Sequence, residues 1–432
     1  MKQSIFNNII PLSSNRILLF NAFSNNYLIL SESLYKAFNN NAPEVLKCQY
    51  PKFYNQLIST GCIQNDDADE TSLLQERINK IDNSGKDYLL TINPTLSCNF
   101  KCWYCYEKHP SQSQMNADIL ERVKKHISLV IQKIQPPTFH LGFFGGEPLL
   151  HYSNVVYPIL NHLNKECEKY HIKSSIAFTS NGYLLTNKMI DEMAKLKVHS
   201  FQITLDGDKE SHNQVRYPYQ GADSFTRIVE NIKTLLKKDI WVVLRINYTA
   251  QSLKGTQSIS ENFKDLTPKE KEKFQVDYQR VWQDRDSYSE DLKALLEECI
   301  ESFEKKGINV TYSVMNQVWN SCYADKQNQA VINYNGLVYK CTARDFNEKN
   351  SLGYLNEEGN IIWNQQKLNY RTNIRLSKQI CRNCRIAPLC GGTCAQRILE
   401  NPNENECTRK LSDEAKDRIV LEHFYYTRVK QG

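Results

Sequence analysis

A chain of 432 residues, 41% hydrophobic and 24% charged, carries enough apolar material for two or three buried cores, which excludes a disordered or fibrous protein. Its net charge of +6 contains no dense Lys/Arg run, so nothing marks a nucleic-acid face; Met1 to Arg16 lacks a secretory pattern, and no apolar run reaches membrane-spanning length. The expectations are a cytoplasmic protein with no membrane and no nucleic-acid partner. Fourteen cysteines in a reducing compartment then need metals or core positions rather than disulfides.

Residues 1–70 read as a small unit of their own. Arg16 to Phe20 and Asn26 to Leu30 are two strands around the turn-rich Ser24-Asn25-Asn26. Ser31 or Ser33 caps a short helix through Phe38, and Pro51 opens a helix carrying Phe53, Tyr54, Leu57 and Ile58. Gly61 ends it, Cys62-Ile63 resumes as a strand, and Asn65 to Glu70 is an acidic connector. This order is similar to the winged-helix peptide-recognition domain fused to many peptide maturases, which implies that an extended leader peptide adds to a sheet edge. A structural cap is the alternative. Cys48 and Cys62 are isolated thiols.

Leu89 to Asn93 is a short buried strand, and directly after it Cys98, Cys102 and Cys105 follow at C-x3-C-x2-C spacing with Tyr104 before the last. A tetrahedral zinc on these thiolates is one reading, since C-x2-C pairs often bind zinc. Three ligands also leave one iron of a 4Fe–4S cube open to a small molecule. The spacing and the aromatic residue resemble the signature of the radical SAM enzymes, in which the open iron chelates S-adenosyl-L-methionine and reduces it to a 5′-deoxyadenosyl radical.

From 86 to 308 strand-like and helix-like segments alternate. Strands at 138–144, 174–179, 200–205, 240–246 and 274–278 interleave with helices near 119–134, 152–168, 186–196, 224–237 and 290–304. Six βα steps predict an α/β fold with a partial (β/α)6 TIM-like barrel whose site lies at the C-terminal strand ends. Cys167 and Cys299 continue apolar helix stripes as core residues. The strand ends carry Gly145-Gly146-Glu147-Pro148, Ser180-Asn181, Thr204-Leu-Asp-Gly207 with His212 and Arg216, and Arg245-Ile-Asn247. The first resembles the family's GGEP motif, implying that Glu147 takes the methionyl amino group; Ser180 and Asn181 resemble the TNG element near the ribose. Thr204 and Arg216 are placed for the ligand's carboxylate, although Thr replaces Ser and Asn213 replaces Asp in the run they resemble. Asn247 is expected near ribose or adenine, or as a cap.

From 309 to 432 seven cysteines recur as Cys322, Cys341, Cys381, Cys384, Cys390, Cys394 and Cys407, with an Asn-Gly hairpin between Ala330 and Cys341. Two zinc ribbons would take eight ligands. The ordered run matches the SPASM signature, implying that Cys322, Cys341 and Cys394 hold one auxiliary cluster and Cys381, Cys384, Cys390 and Cys407 another. With the catalytic loop this makes three 4Fe–4S clusters. Where sulfatase maturases resemble this chain they supply a further thiolate at the position of Asn316, so one iron of the first auxiliary cluster is expected to lack a protein thiolate. The resemblance as a whole implies a radical SAM/SPASM enzyme that modifies, most simply by crosslinking, a ribosomally made precursor peptide bearing a leader, fed by an external flavodoxin- or ferredoxin-type electron donor. An anaerobic sulfatase maturase is the nearer rival. That family places its catalytic aspartate directly after the cysteine of the G-x4-C element, where this chain has Thr342; Asp345 is the nearest acid. A non-catalytic zinc or regulatory protein is the other rival.

Overall fold

The computed structural model describes residues 1–12, 15–284, 290–311 and 321–429. They group into two compact units, one made of 1–85, 313–327 and 365–432, the other of 86–312 and 328–364. This grouping differs from the expected boundaries at 1–70, 86–308 and 309–432, and the packing explains why. Asn316 lies outside the described residues.

In the second unit six strands, Tyr88–Ile92, Thr138–Phe143, Lys173–Ser180, Val198–Asp206, Trp241–Tyr248 and Phe274–Arg280, pair in parallel in chain order. The alternation of burial along each strand puts one side on a shared core. Phe143, Phe178 and Phe201 stack across three neighbouring strands at 4.7 and 4.8 Å, which fixes their register. The connecting helices are amphipathic; Ala117–Lys133 starts at Asn116, whose side chain accepts the Ile119 N–H, and buries Val123, Ile127 and Ile131. Among the described residues the sheet ends at Asn309–Val310 on one side. On the other side the first barrel strand pairs in parallel with Gln329–Ile332, which continues through Leu337–Tyr339, Gly353–Leu355 and Ile361–Trp363 in antiparallel order. The expected Asn-Gly hairpin is therefore present, with Gly336 at φ +80°, but it extends the barrel sheet.

The first unit is built on an antiparallel sheet of Asn7–Leu12, Arg16–Asn21 and Asn26–Ser31. Period-two alternation splits its residues between two cores. Leu19 and Leu30 face the helices Glu32–Asn40, Pro43–Gln49 and Pro51–Ser59. Phe6, Ile10, Leu18 and Phe20 face Leu74 and Ile78 of the helix Glu70–Asn83, together with Leu376, Ile386, Leu389 and Val420. The N-terminal sheet is thus sandwiched, and the apolar side chains of the cysteine-rich segment share one of its two covers with the helix Glu70–Asn83. Ile63–Gln64 returns to pair with Lys2–Gln3. Cys62, Cys167 and Cys299 are buried and Cys48 is exposed. Among the described residues no helix is long and apolar enough to cross a membrane.

Candidate active site

The cavity of the second unit opens at the C-terminal ends of the parallel strands. The loop bearing Cys98, Cys102 and Cys105 forms one wall, and Gly145, Gly146, Thr179, Ser180, Asn181, Thr204 and Asn247 from the strand ends, with Arg216 at the end of the helix Lys209–Val215, form the others. Two sequence features hold the loop against the strands. Gly145 sits at φ +92°, and a Cβ there would lie 2.4 Å from the Thr95 carbonyl oxygen; a Cβ on Gly146 would lie 2.2 Å from that of Ser97. These glycines admit the cysteine loop itself, and the Glu147 N–H donates to the Ser97 carbonyl at 2.8 Å.

Glu147 is fully buried and does not line the cavity, nor does Pro148. Its carboxylate accepts from the Ser180 hydroxyl at 2.9 Å, the Asn181 N–H at 2.8 Å and the Leu149 N–H at 3.0 Å, bracketing the second and third strand ends. Burial pushes its carboxyl up to about 6, against those three donors. Asn181 also donates to Asn99 at 2.8 Å, tying the third strand end to the cysteine loop.

The Tyr104 hydroxyl is a hub. It donates to Asp206 and accepts from Arg216 Nη1 at 2.8 Å and Asn247 Nδ2 at 3.2 Å. Arg216 is 7% and Asp206 6% exposed, and Arg216 Nε stands 3.9 Å from Asp206 Oδ1. Burial raises the Asp206 carboxyl, opposed by the Arg216 cation. His212 is buried and neutral, its pKa lowered by burial and then by Arg216, and its Nδ1 accepts the Asp206 N–H at 3.2 Å. Asp206 and Arg216 of this run therefore build a polar floor with Tyr104, whose hydroxyl also holds Asn247, while Thr204 stands on the cavity wall. Sequence reasoning gave Asp206 no role; the signal available was its place in the same run.

The three thiols are pushed up by burial, Cys98 to about 12 with the Glu147 charge adding, while Arg216 opposes the rise at Cys102. Uncompensated, such thiols are neutral, and a bound cation is what would make them thiolates. The His109 ring spans from the Leu96 carbonyl (Nδ1, 2.8 Å) to Cys105 Sγ (Nε2, 3.3 Å). Glu107, also on the wall, is pushed up to about 7 by burial, with Asp345 adding and His109 opposing. At the rim Tyr106 and Trp282 stack at 5.6 Å, and Tyr106 donates to the Thr342 carbonyl at 3.0 Å. Tyr106 and Glu107 had no sequence signature beyond proximity to the cysteines, and Trp282 had none.

In the first unit a second cavity is lined jointly by Cys381, Cys384, Cys390 and Cys407. Burial pushes Cys381 up to about 11, with Cys390, Cys407 and Cys384 adding their charges; Lys378 opposes, as Arg409 does at Cys390. Four convergent thiols with two cations beside them are a donor set suited to an anionic cluster. Cys322 opens a short turn at Tyr323–Asp325, and Cys394 precedes the helix Ala395–Glu400, both in the first unit. Cys341 belongs to the second, where its sulfur accepts the Ala343 N–H at 3.3 Å. Among the described residues no three His, Cys, Asp or Glu side chains gather closely enough to hold a single ion.

A parallel half-barrel with a cysteine-bearing loop over its strand ends, followed by a cysteine-rich segment, defines the class. The radical SAM superfamily model matches residues 92–249, and that of SPASM, an iron–sulfur cluster-binding domain, matches 322–385. The chain belongs to the radical SAM superfamily and carries a SPASM domain. These domains imply 4Fe–4S clusters and S-adenosylmethionine. The chain is 23% identical over 385 residues to the radical SAM cyclopropyl synthase TigE of Paramaledivibacter caminithermalis, covering 80% of this chain and 76% of that one. It is 24% identical over 347 residues to the cysteine-type anaerobic sulfatase-maturating enzyme of Clostridium perfringens, covering 71% and 88%. Its fold is similar to Streptococcus suis SuiB bound to S-adenosylmethionine, with TM-score 0.52, 17% identity and coverage of 95% and 100%.

Proposed function

We infer that this enzyme cleaves S-adenosylmethionine reductively and uses the resulting radical to modify, by crosslinking, side chains of a ribosomally made precursor peptide. The observation that carries the reading is the single cavity in which the Cys98–Cys102–Cys105 loop meets the polar ends of the parallel strands. Cys98, Cys102 and Cys105 would hold the catalytic 4Fe–4S cluster; Cys381, Cys384, Cys390 and Cys407 one auxiliary cluster; and Cys322, Cys341 and Cys394 another. When bound, the cluster and S-adenosylmethionine together supply a 5′-deoxyadenosyl radical able to take an unactivated hydrogen. The chain's own part is positioning. Ser180, Asn181 and Thr204 offer polar groups on the wall, and Arg216 and Asn247 are held by Tyr104.

A peptide substrate is supported by SuiB, whose fold this chain shares over most of its length and which has been solved bound to precursor peptide SuiA, with a TM-score of 0.51. An external low-potential donor completes the reading. The likeness to the sulfatase-maturating enzyme makes oxidation of a cysteine to formylglycine the second reading; Thr342 at the position of that family's aspartate ranks it lower. Anaerobic reconstitution with iron and sulfide analysis tests the cluster count, expected at about twelve irons per chain. Stoichiometric zinc without sulfide refutes it. Replacing Cys98, Cys102 and Cys105 together by Ala should abolish 5′-deoxyadenosine formation and leave about eight irons; continued formation would refute the assignment of the catalytic loop.

A further inference from the structure

We propose that Arg371 is the positioning residue that holds Cys322 and Cys394 at the separation the first auxiliary cluster requires. The proposal rests on the reading above that these two cysteines share a cluster.

The two cysteines lie 72 positions apart in the sequence and, among the described residues, have no ladder or helix in common. What joins them is a buried network of charges within the first unit. Arg371, on the helix Gln365–Thr372, is 5% exposed, and its guanidinium is forked. Nη2 reaches Asp325 Oδ1 at 3.4 Å, and Nη1 donates to Gln396 Oε1 at 2.9 Å. Asp325 ends the turn that Cys322 begins, and its N–H donates to the Cys322 carbonyl at 2.9 Å. Gln396 stands two residues after Cys394, in the first turn of a helix whose Arg397 N–H donates to the Cys394 carbonyl at 3.1 Å. One side chain thus grips both cysteine turns, each within two or three residues of the sulfur-bearing position.

The rest of the network keeps the fork from swinging. Arg375 donates from Nη1 to Asp82 at 2.8 Å, stands 4.0 Å from Asp325, and reaches the Gly391 carbonyl through Nε at 3.3 Å. Asp82 also accepts from Ser321, next to Cys322, while Lys326 donates to the Ile81 carbonyl at 3.0 Å. Two cations and two carboxylates, all nearly buried, balance one another. A network of this kind gives little net stability against an apolar replacement, and its clearest use is to specify one geometry. Geometry is what a cluster needs from its ligands. A lysine at 371 would keep the charge but replace the planar fork with a single point donor, which cannot reach both turns.

The test uses the full chain, reconstituted anaerobically, in three forms: wild type, Arg371→Lys and Gln396→Ala. Iron, sulfide and the EPR spectrum of the dithionite-reduced protein are read alongside far-UV circular dichroism. The expected wild-type content is about twelve irons, and Arg371→Lys should fall to about eight with its secondary structure kept. Gln396→Ala frees only the Cys394 side, so it should keep its iron but change the EPR line shape or midpoint potential of one auxiliary cluster. It also decides the matter if Arg371→Lys does not fold. Wild-type iron and an unchanged spectrum in the foldable variants overturn the proposal. A wild-type content near eight refutes the three-cluster reading instead, and the positioning role falls with it.

Discussion

Replacing Tyr104 by Phe removes one oxygen and leaves the ring, so its effect isolates the hub. That oxygen gives a hydrogen bond to the Asp206 carboxylate and receives one from the Arg216 guanidinium, both buried. Hydrogen bonds to charged groups contribute about 1.5–3 kcal/mol each. Arg216 and Asp206 are already 3.9 Å apart and can close on each other, recovering part of the loss. The expected net cost is about 2–3 kcal/mol, roughly 30- to 150-fold in the folding equilibrium of this unit. Urea unfolding of the reconstituted protein, followed by tryptophan fluorescence, measures it as a lower midpoint at unchanged slope. Tyr106→Phe is the control: its hydroxyl is at the exposed rim and should cost under about 0.5–1 kcal/mol. Combining Tyr104→Phe with Asp206→Asn should be less than additive by at least about 0.5 kcal/mol. A Tyr104→Phe protein within about 0.5 kcal/mol of wild type, or strict additivity with Asp206→Asn, would refute the hub.

Glu147 carries a pH signature. Its folded value of about 6 lies above the ordinary 4.5, so the folded state keeps the proton longer. Its contribution to stability is therefore lost as pH rises from about 4.5 to 6, by roughly 2 kcal/mol. Glu147→Gln should remove that slope, so the two melting curves converge or cross with pH; parallel curves argue against it. Phe20→Ala should cost about 3–5 kcal/mol, since the ring is fully buried and stacks on Tyr27 at 4.3 Å. Because Cys381 and Cys384 pack on the same core, it should also lower iron retention by the C-terminal cysteines. Unaltered iron with a lowered melting temperature would separate the two.

The barrel strands were legible because each is a β-branched or aromatic run bounded by turns, and the ends of all six fell within two residues of the expected ones. Cys167 and Cys299 read correctly from helical spacing, being buried on apolar faces. Asn7–Leu12 escaped notice: two asparagines and Pro11 hide a strand whose alternation is visible only once Ile10 has a core to face. The helix Pro43–Gln49 has too few apolar residues to show a period. Gln329–Ile332 read as half of a local hairpin, yet its other edge pairs with Tyr88–Ile92, and partner choice across 240 positions leaves no local mark. The cysteine sets and the glycine-rich tetrapeptide were plain in the sequence. That Glu147 is spent on Ser180 and Asn181 is a matter of side-chain direction, which spacing does not carry.

The two-sided burial of the N-terminal sheet has a consequence on the ribosome. Phe6, Ile10, Leu18 and Phe20 emerge first, but several of the side chains that cover them, Leu376 through Val420, are made some 350 positions later. At about 5–20 residues per second that face waits roughly 20–70 s for its cover. The open edge of Tyr88–Ile92 waits in the same way for Gln329–Ile332. For most of its synthesis the nascent chain presents an apolar sheet face covered only in part, by Leu74 and Ile78, and an unpaired strand, a state that invites aggregation and engages holdase chaperones, so yields of recombinant protein should rise at slow translation and low temperature with chaperone co-expression.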